Sequence, residues 1–274
     1  MNHTYKSVDG LTLNYMDQGT GLPVICLPGL TRNAQDFDYL VPHFPNIRII
    51  RPDYRGRGKS DWADPATYTV PVEAGDILAL MDHLDLEKAA LLGTSRGGLI
   101  AMGLARAAKN RLLGVCLNDI GPVIEQTGLE DISAYLGRPP TQKNYDAAAT
   151  AKAGFLTGFR NVPMTRWLEE VRNQYEQTDD GLSLRYDPRL RETVLATFAA
   201  QAPDLWPYFD ALDGLPTALL RGETSDLLSR ETANEMSKRR PDMLFTQVAD
   251  RGHIPFLDEP ESLELIRSWL GKMQ

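Results

Sequence analysis

An apolar run over residues 89–92 leads into Gly93-Thr94-Ser95-Arg96-Gly97-Gly98, and a helical pattern begins directly behind it. A serine between a strand and a helix must turn the chain sharply. Gly93 and Gly97 give it the room that a strained backbone needs. The turn lifts the hydroxyl off the strand end and sets the next N–H at a helix N-terminus, where negative charge is stabilised. A G-x-S-x-G in that setting is a nucleophile elbow. The pentapeptide alone also fits a glycine-rich turn with an incidental serine, so the partners of Ser95 must decide.

The chain around the elbow alternates. Residues 24–27, 47–50 and 112–117 are short, continuous apolar runs of the kind expected from strands buried on both faces. Helical patterns over 33–44, 72–83 and 99–108 separate them, and Asp9-Gly10 predicts a hairpin near the start. This order implies an α/β fold with a mostly parallel, doubly wound sheet. Between 122 and 212 the alternation stops, and only helical patterns appear, over 131–136, 144–156, 165–175 and 189–200. Strands return at 217–220 and 243–248, before a helix over 261–273. The expected organisation is a core of residues 1–121 and 213–274, with 122–212 inserted as a helical cap over the strands' carboxyl ends. Ligands bind at that edge in open α/β sheets. Most of the cap's aromatic residues are expected to form its own core, with two or three facing a ligand.

A formal net charge of −8 over 274 residues argues against nucleic acid and against an anionic membrane surface as partners. No apolar stretch approaches the ~18 residues of a membrane span. The first residues carry no apolar signal core, so a cytoplasmic location is expected. Cys26 and Cys116 lie in strand-like runs and read as buried free thiols of a reducing compartment. The glycine-rich stretch 53–60 ends in Gly58-Lys59-Ser60, but a phosphate-binding loop would need glycine where Asp53 stands.

A serine hydroxyl needs a base. Of the four histidines, His3 is near the terminus, and His43 and His83 belong to surface helices. His253 follows the strand at 243–248 directly and reaches the same edge as Ser95, so it is the expected base. Its imidazole needs a carboxylate to fix the tautomer. Asp226, just past the strand at 217–220, is favoured; Asp119, after the strand at 112–117, is the rival. Glu223 reads as a supporting or surface group. The order Ser95, Asp226, His253 is the one such elbows keep. The histidines lack zinc-site spacing, so neither metal nor cofactor is expected.

With Leu27-Pro28-Gly29-Leu30, Asp53-Tyr54-Arg55-Gly56-Arg57-Gly58-Lys59-Ser60, Gly222-Glu223-Thr224-Ser225-Asp226 and Gly252-His253-Ile254-Pro255 added to the elbow, the chain resembles a lid-bearing serine hydrolase of the α/β-hydrolase superfamily. The resemblance implies an eight-stranded sheet and an oxyanion hole made by the backbone N–H groups of Leu30 and Arg96. Pro28 departs from the histidine usual there, so the loop must be held differently. Serine at the elbow disfavours the dehalogenase and epoxide-hydrolase chemistries, which use aspartate. The implied activity is hydrolysis of a small-molecule carboxylic ester or lactone. Cleavage of a C–C bond in ring-cleavage products, perhydrolysis, and ligand reception on a hydrolase scaffold are the alternatives. The Arg96 side chain has two readings: a clamp for a substrate carboxylate, or a tie to structural carboxylates and carbonyls.

Overall fold

The computed structural model describes residues 2–200 and 203–274. Met1, Gln201 and Ala202, which fall within the expected core and cap ranges, lie outside the described residues. Asp9-Gly10 turns the chain between β1 (Asn2–Lys6) and β2 (Thr12–Gln18), which pair antiparallel. The alternation then runs β3 (Leu22–Leu27), β4 (Ile47–Pro52), α1 (Val70–His83), β5 (Ala89–Thr94), α2 (Arg96–Ala107) and β6 (Leu112–Asn118). Next come α3 (Gln126–Tyr135), α4 (Tyr145–Phe155), α5 (Met164–Gln174), β7 (Tyr175–Thr178), β8 (Gly181–Leu184), α6 (Leu190–Ala199) and α7 (Trp206–Asp210). The chain closes with β9 (Thr217–Gly222), α8 (Arg230–Arg239), β10 (Leu244–Val248) and α9 (Pro260–Gly271).

Eight strands form one sheet in the order β1-β2-β4-β3-β5-β6-β9-β10, parallel from β4 to β10. Side chains alternate across it, which makes two cores. Ile25, Leu91 and Leu117 pack with α1, α2, α7 and α8 on one face. Cys26, Leu92 and Cys116 pack with α9 and the turn at Ala34–Phe37 on the other. The fold is therefore the doubly wound α/β sheet that the apolar runs imply. Trp269 of α9 is fully buried, and its indole N–H donates to the Pro216 carbonyl at 3.0 Å. Both cysteines are free and buried, and burial pushes the Cys26 thiol up to about 12.

Three local expectations change. The pattern at 33–44 forms two short 3-10 turns, Ala34–Phe37 and Val41–His43, because Pro42 cannot continue a helix. The inserted segment is not wholly helical: β7 and β8 form an antiparallel hairpin around Asp179-Asp180. β7 is mostly exposed and polar, so it carries no apolar signal. At the segment's end, Phe209 of α7 and Leu212 join the core cluster beneath the sheet, inside the range expected for the cap. Among the described residues no helix is long and apolar enough to cross a membrane.

Candidate active site

Ser95 is the first residue after β5, with φ +50° and ψ −114°. Such a φ is costly for any side chain bar glycine's, and here the corner is closed by backbone contact. A Cβ on Gly97 would strike the Leu27 carbonyl oxygen of β3, and one on Gly93 would strike the Gly97 backbone. The hydroxyl lies 3.0 Å from Nε2 of His253, in the loop after β10. With the proton on Nδ1, that nitrogen donates to Oδ2 of Asp119 at 2.7 Å.

The carboxylate at the imidazole is thus Asp119, where the sequence reading favours Asp226. Asp119 follows β6 at φ +56° and is fully buried. It accepts the Gly222 N–H at 2.8 Å and the Ser225 hydroxyl at 2.7 Å, so the loop after β9 supplies donors to the acid rather than the acid itself. Asp226 is four residues beyond the end of β9 and faces the cavity. Its side chain makes no hydrogen bond to another of the described residues. Burial, with Asp131 and Asp119 nearby, raises its pKa against the lowering effect of His253. Glu223 accepts the Asp250 N–H at 3.1 Å and braces the histidine loop.

The N–H groups of Leu30 and Arg96 have no hydrogen-bond partner among the described residues. Leu30 and Ser95 line one cavity; Arg96 opens α2 beside it. The loop with Pro28 is held from behind: the Tyr54 hydroxyl donates to the Pro28 carbonyl at 3.1 Å, and Arg57 Nε to the Leu30 carbonyl at 3.1 Å. The Arg96 guanidinium donates to Glu73 at 2.6 Å and to the Tyr68 carbonyl at 2.9 Å, so its charge is tied to the fold. Buried Asp53 organises the glycine-rich stretch, accepting the Ala34 and Lys59 N–H groups at 2.7 and 2.9 Å.

The cavity holds about 560 Å³, within the range of small-molecule sites. Its roof is the inserted segment. Tyr135, Phe155, Phe159, Trp167 and Tyr175 all line it, more than the two or three expected, because the segment turns its apolar side to the cavity. Phe159, Trp167 and Phe256 pack with centroids 5.5–6.0 Å apart. Four charges escape any motif. Arg32 donates to Asp36 and to Glu170 of α5, both at 2.6 Å, and Lys152 of α4 lies 3.6 Å from Glu170. Burial raises Asp36 to about 6 and lowers Lys152 to about 8. Further ties join roof to core. Arg166 donates to Asp258 at 3.1 Å, Asn33 to the Asn173 carbonyl at 2.7 Å, and Thr224 to the Gly158 carbonyl at 2.9 Å.

Residues 24–264 match the model of the alpha/beta hydrolase family. The chain is 36% identical over 252 residues to a 3-hydroxybutyrate-oligomer hydrolase of Cupriavidus necator, covering 88% of this chain and 86% of that protein. It is 25% identical to a 2-(acetamidomethylene)succinate hydrolase of Mesorhizobium japonicum over 89% of this chain and 85% of that one. A crystal structure of an alpha/beta hydrolase from Novosphingobium aromaticivorans superposes with a TM-score of 0.92 at 36% identity, covering 99% of this chain and 98% of the other. Sheet order, elbow and whole-length similarity agree: the chain belongs to the alpha/beta hydrolase family.

Proposed function

We propose that this hydrolase cleaves a small-molecule carboxylic ester through an acyl-enzyme on Ser95. The observation that carries this is the unbroken run Ser95–His253–Asp119, at 3.0 and 2.7 Å, opening on the cavity. His253 Nε2 takes the Ser95 proton as Oγ attacks the ester carbonyl, and Asp119 stabilises the imidazolium. The N–H groups of Leu30 and Arg96 receive the oxyanion, each contributing about 2.7–4 kcal/mol. As the tetrahedral adduct collapses, His253 returns the proton to the leaving alkoxide. A water, deprotonated by His253, then releases the acid and regenerates Ser95.

The substrate class we favour is a short oligoester of a hydroxy acid. It rests on the 36% identity to the 3-hydroxybutyrate-oligomer hydrolase across most of both chains, and on an apolar cavity with a few buried polar groups. Ser95→Ala should lower kcat on a 3-hydroxybutyrate dimer and on p-nitrophenyl acetate by about 10⁶. A fluorophosphonate should label Ser95. Near-normal turnover by the variant would remove the serine mechanism; cleavage of p-nitrophenyl acetate alone would remove the oligoester.

A further inference from the structure

Leu30 and Arg96 sit on different pieces of chain, the loop after β3 and the first turn of α2. The pairing of β3 with β5 brings the two pieces together, but it does not by itself fix the loop after Leu27 that carries the Leu30 N–H. Behind both stands Glu73, in the first turn of α1 and fully buried. Its Oε2 accepts Arg96 Nε at 2.6 Å. Its Oε1 lies 2.8 Å from Arg57 Nη1, an ion pair without hydrogen-bond geometry, and Arg57 Nε in turn donates to the Leu30 carbonyl at 3.1 Å. Arg57 cannot wander, because it also donates to the Arg55 carbonyl at 2.7 Å and lies between the Tyr54 and Tyr68 rings. We propose that Glu73 is a positioning residue for the reaction, one buried carboxylate that sets both oxyanion donors through Arg57 and Arg96. This rests on the serine-hydrolase reading above.

The chemistry favours such a role. An oxyanion hole works because its donors are in place before charge develops, so a shift in either loses transition-state stabilisation and leaves substrate binding intact. One carboxylate between two guanidinium groups also leaves a net positive charge behind the position where the oxyanion forms. A carboxylate that only anchored α1 would need neither the link to the Leu30 loop nor a second arginine.

The test compares Glu73→Gln with wild type, using p-nitrophenyl acetate and a trifluoromethyl ketone that forms a tetrahedral adduct with serine. A displaced donor should cost less than the 10²–10³ of a deleted one. The expected result is a kcat lower by about 10- to 100-fold, KM within about twofold, and ketone affinity weakened by the same factor as kcat. Glu73→Asp, which keeps the charge, should recover part of the loss. If Glu73→Gln does not fold, Arg96→Met keeps the Arg57 arm and its own backbone N–H, and should show a matched loss of about tenfold. A folded variant with unchanged kcat, or one whose loss lies in KM with ketone affinity intact, overturns the proposal. Activity that survives Ser95→Ala would instead remove the serine mechanism, and this inference with it.

Discussion

Two aspartates follow neighbouring strands on the same edge of the sheet, and only one meets the imidazole. Asp119 is the first residue past β6, buried, held in a left-handed conformation and given two donors by the loop after β9. Asp226 hangs four residues past β9, over the cavity, with no hydrogen bond to another of the described residues. The difference teaches that nearness to a histidine is not enough. An orienting acid needs a fixed carboxylate, and a residue one step from a strand end inherits the sheet's rigidity where a loop residue does not.

The largest test of that contrast is Asp119→Asn. Its amide leaves the space filled but lets His253 take the wrong tautomer, which should lower kcat by about 10⁴. Steady-state rates on p-nitrophenyl acetate check it, and a loss below tenfold would break the comparison. Ser225→Ala removes one donor from Asp119 while leaving the Gly222 N–H, so a fall of about tenfold or less in kcat is expected. Asp226→Asn should change kcat by about threefold or less; a loss as large as that of Asp119→Asn would mean both carboxylates act on the imidazole.

The smallest effect is on stability. The raised pKa of Asp226 means the native state holds this proton more tightly than the unfolded chain does. Its contribution to stability is complete below the ordinary carboxyl value of 3.8 and is lost as pH rises through its folded value. Asp226→Asn should therefore remove a small downward slope of stability that begins above pH 3.8, read as urea midpoints along a pH series.

The strand–turn–helix at Ser95 is legible because backbone contact demands glycine at 93 and 97, and that demand is local. The approach of His253 is legible too, since its loop follows the last strand of the sheet and reaches the edge that carries Ser95. The choice of acid is not. β6 and β9 lie side by side, with Asn118 opposite Leu220, so a residue after either strand can reach the same edge. Chain order does not say which one does. The sole local hint is that aspartate tolerates the positive φ adopted at 119. The charges in the cavity are harder still to read, because Lys152 and Glu170 lie on α4 and α5 while Arg32 follows β3, and Arg32 meets them only once the roof is laid over the sheet. The β7–β8 hairpin is too short and polar to leave a periodic trace.

The ties between roof and core hold the lining of the cavity in place. Moving α5 away from the core would part Arg32 from Glu170, and removing one partner from a buried ion pair costs about 3–5 kcal/mol. Arg166 and Asp258 would separate as well. Each such separation opposes movement of the inserted segment, whose Phe155 and Tyr135 are the most exposed aromatic residues lining the cavity.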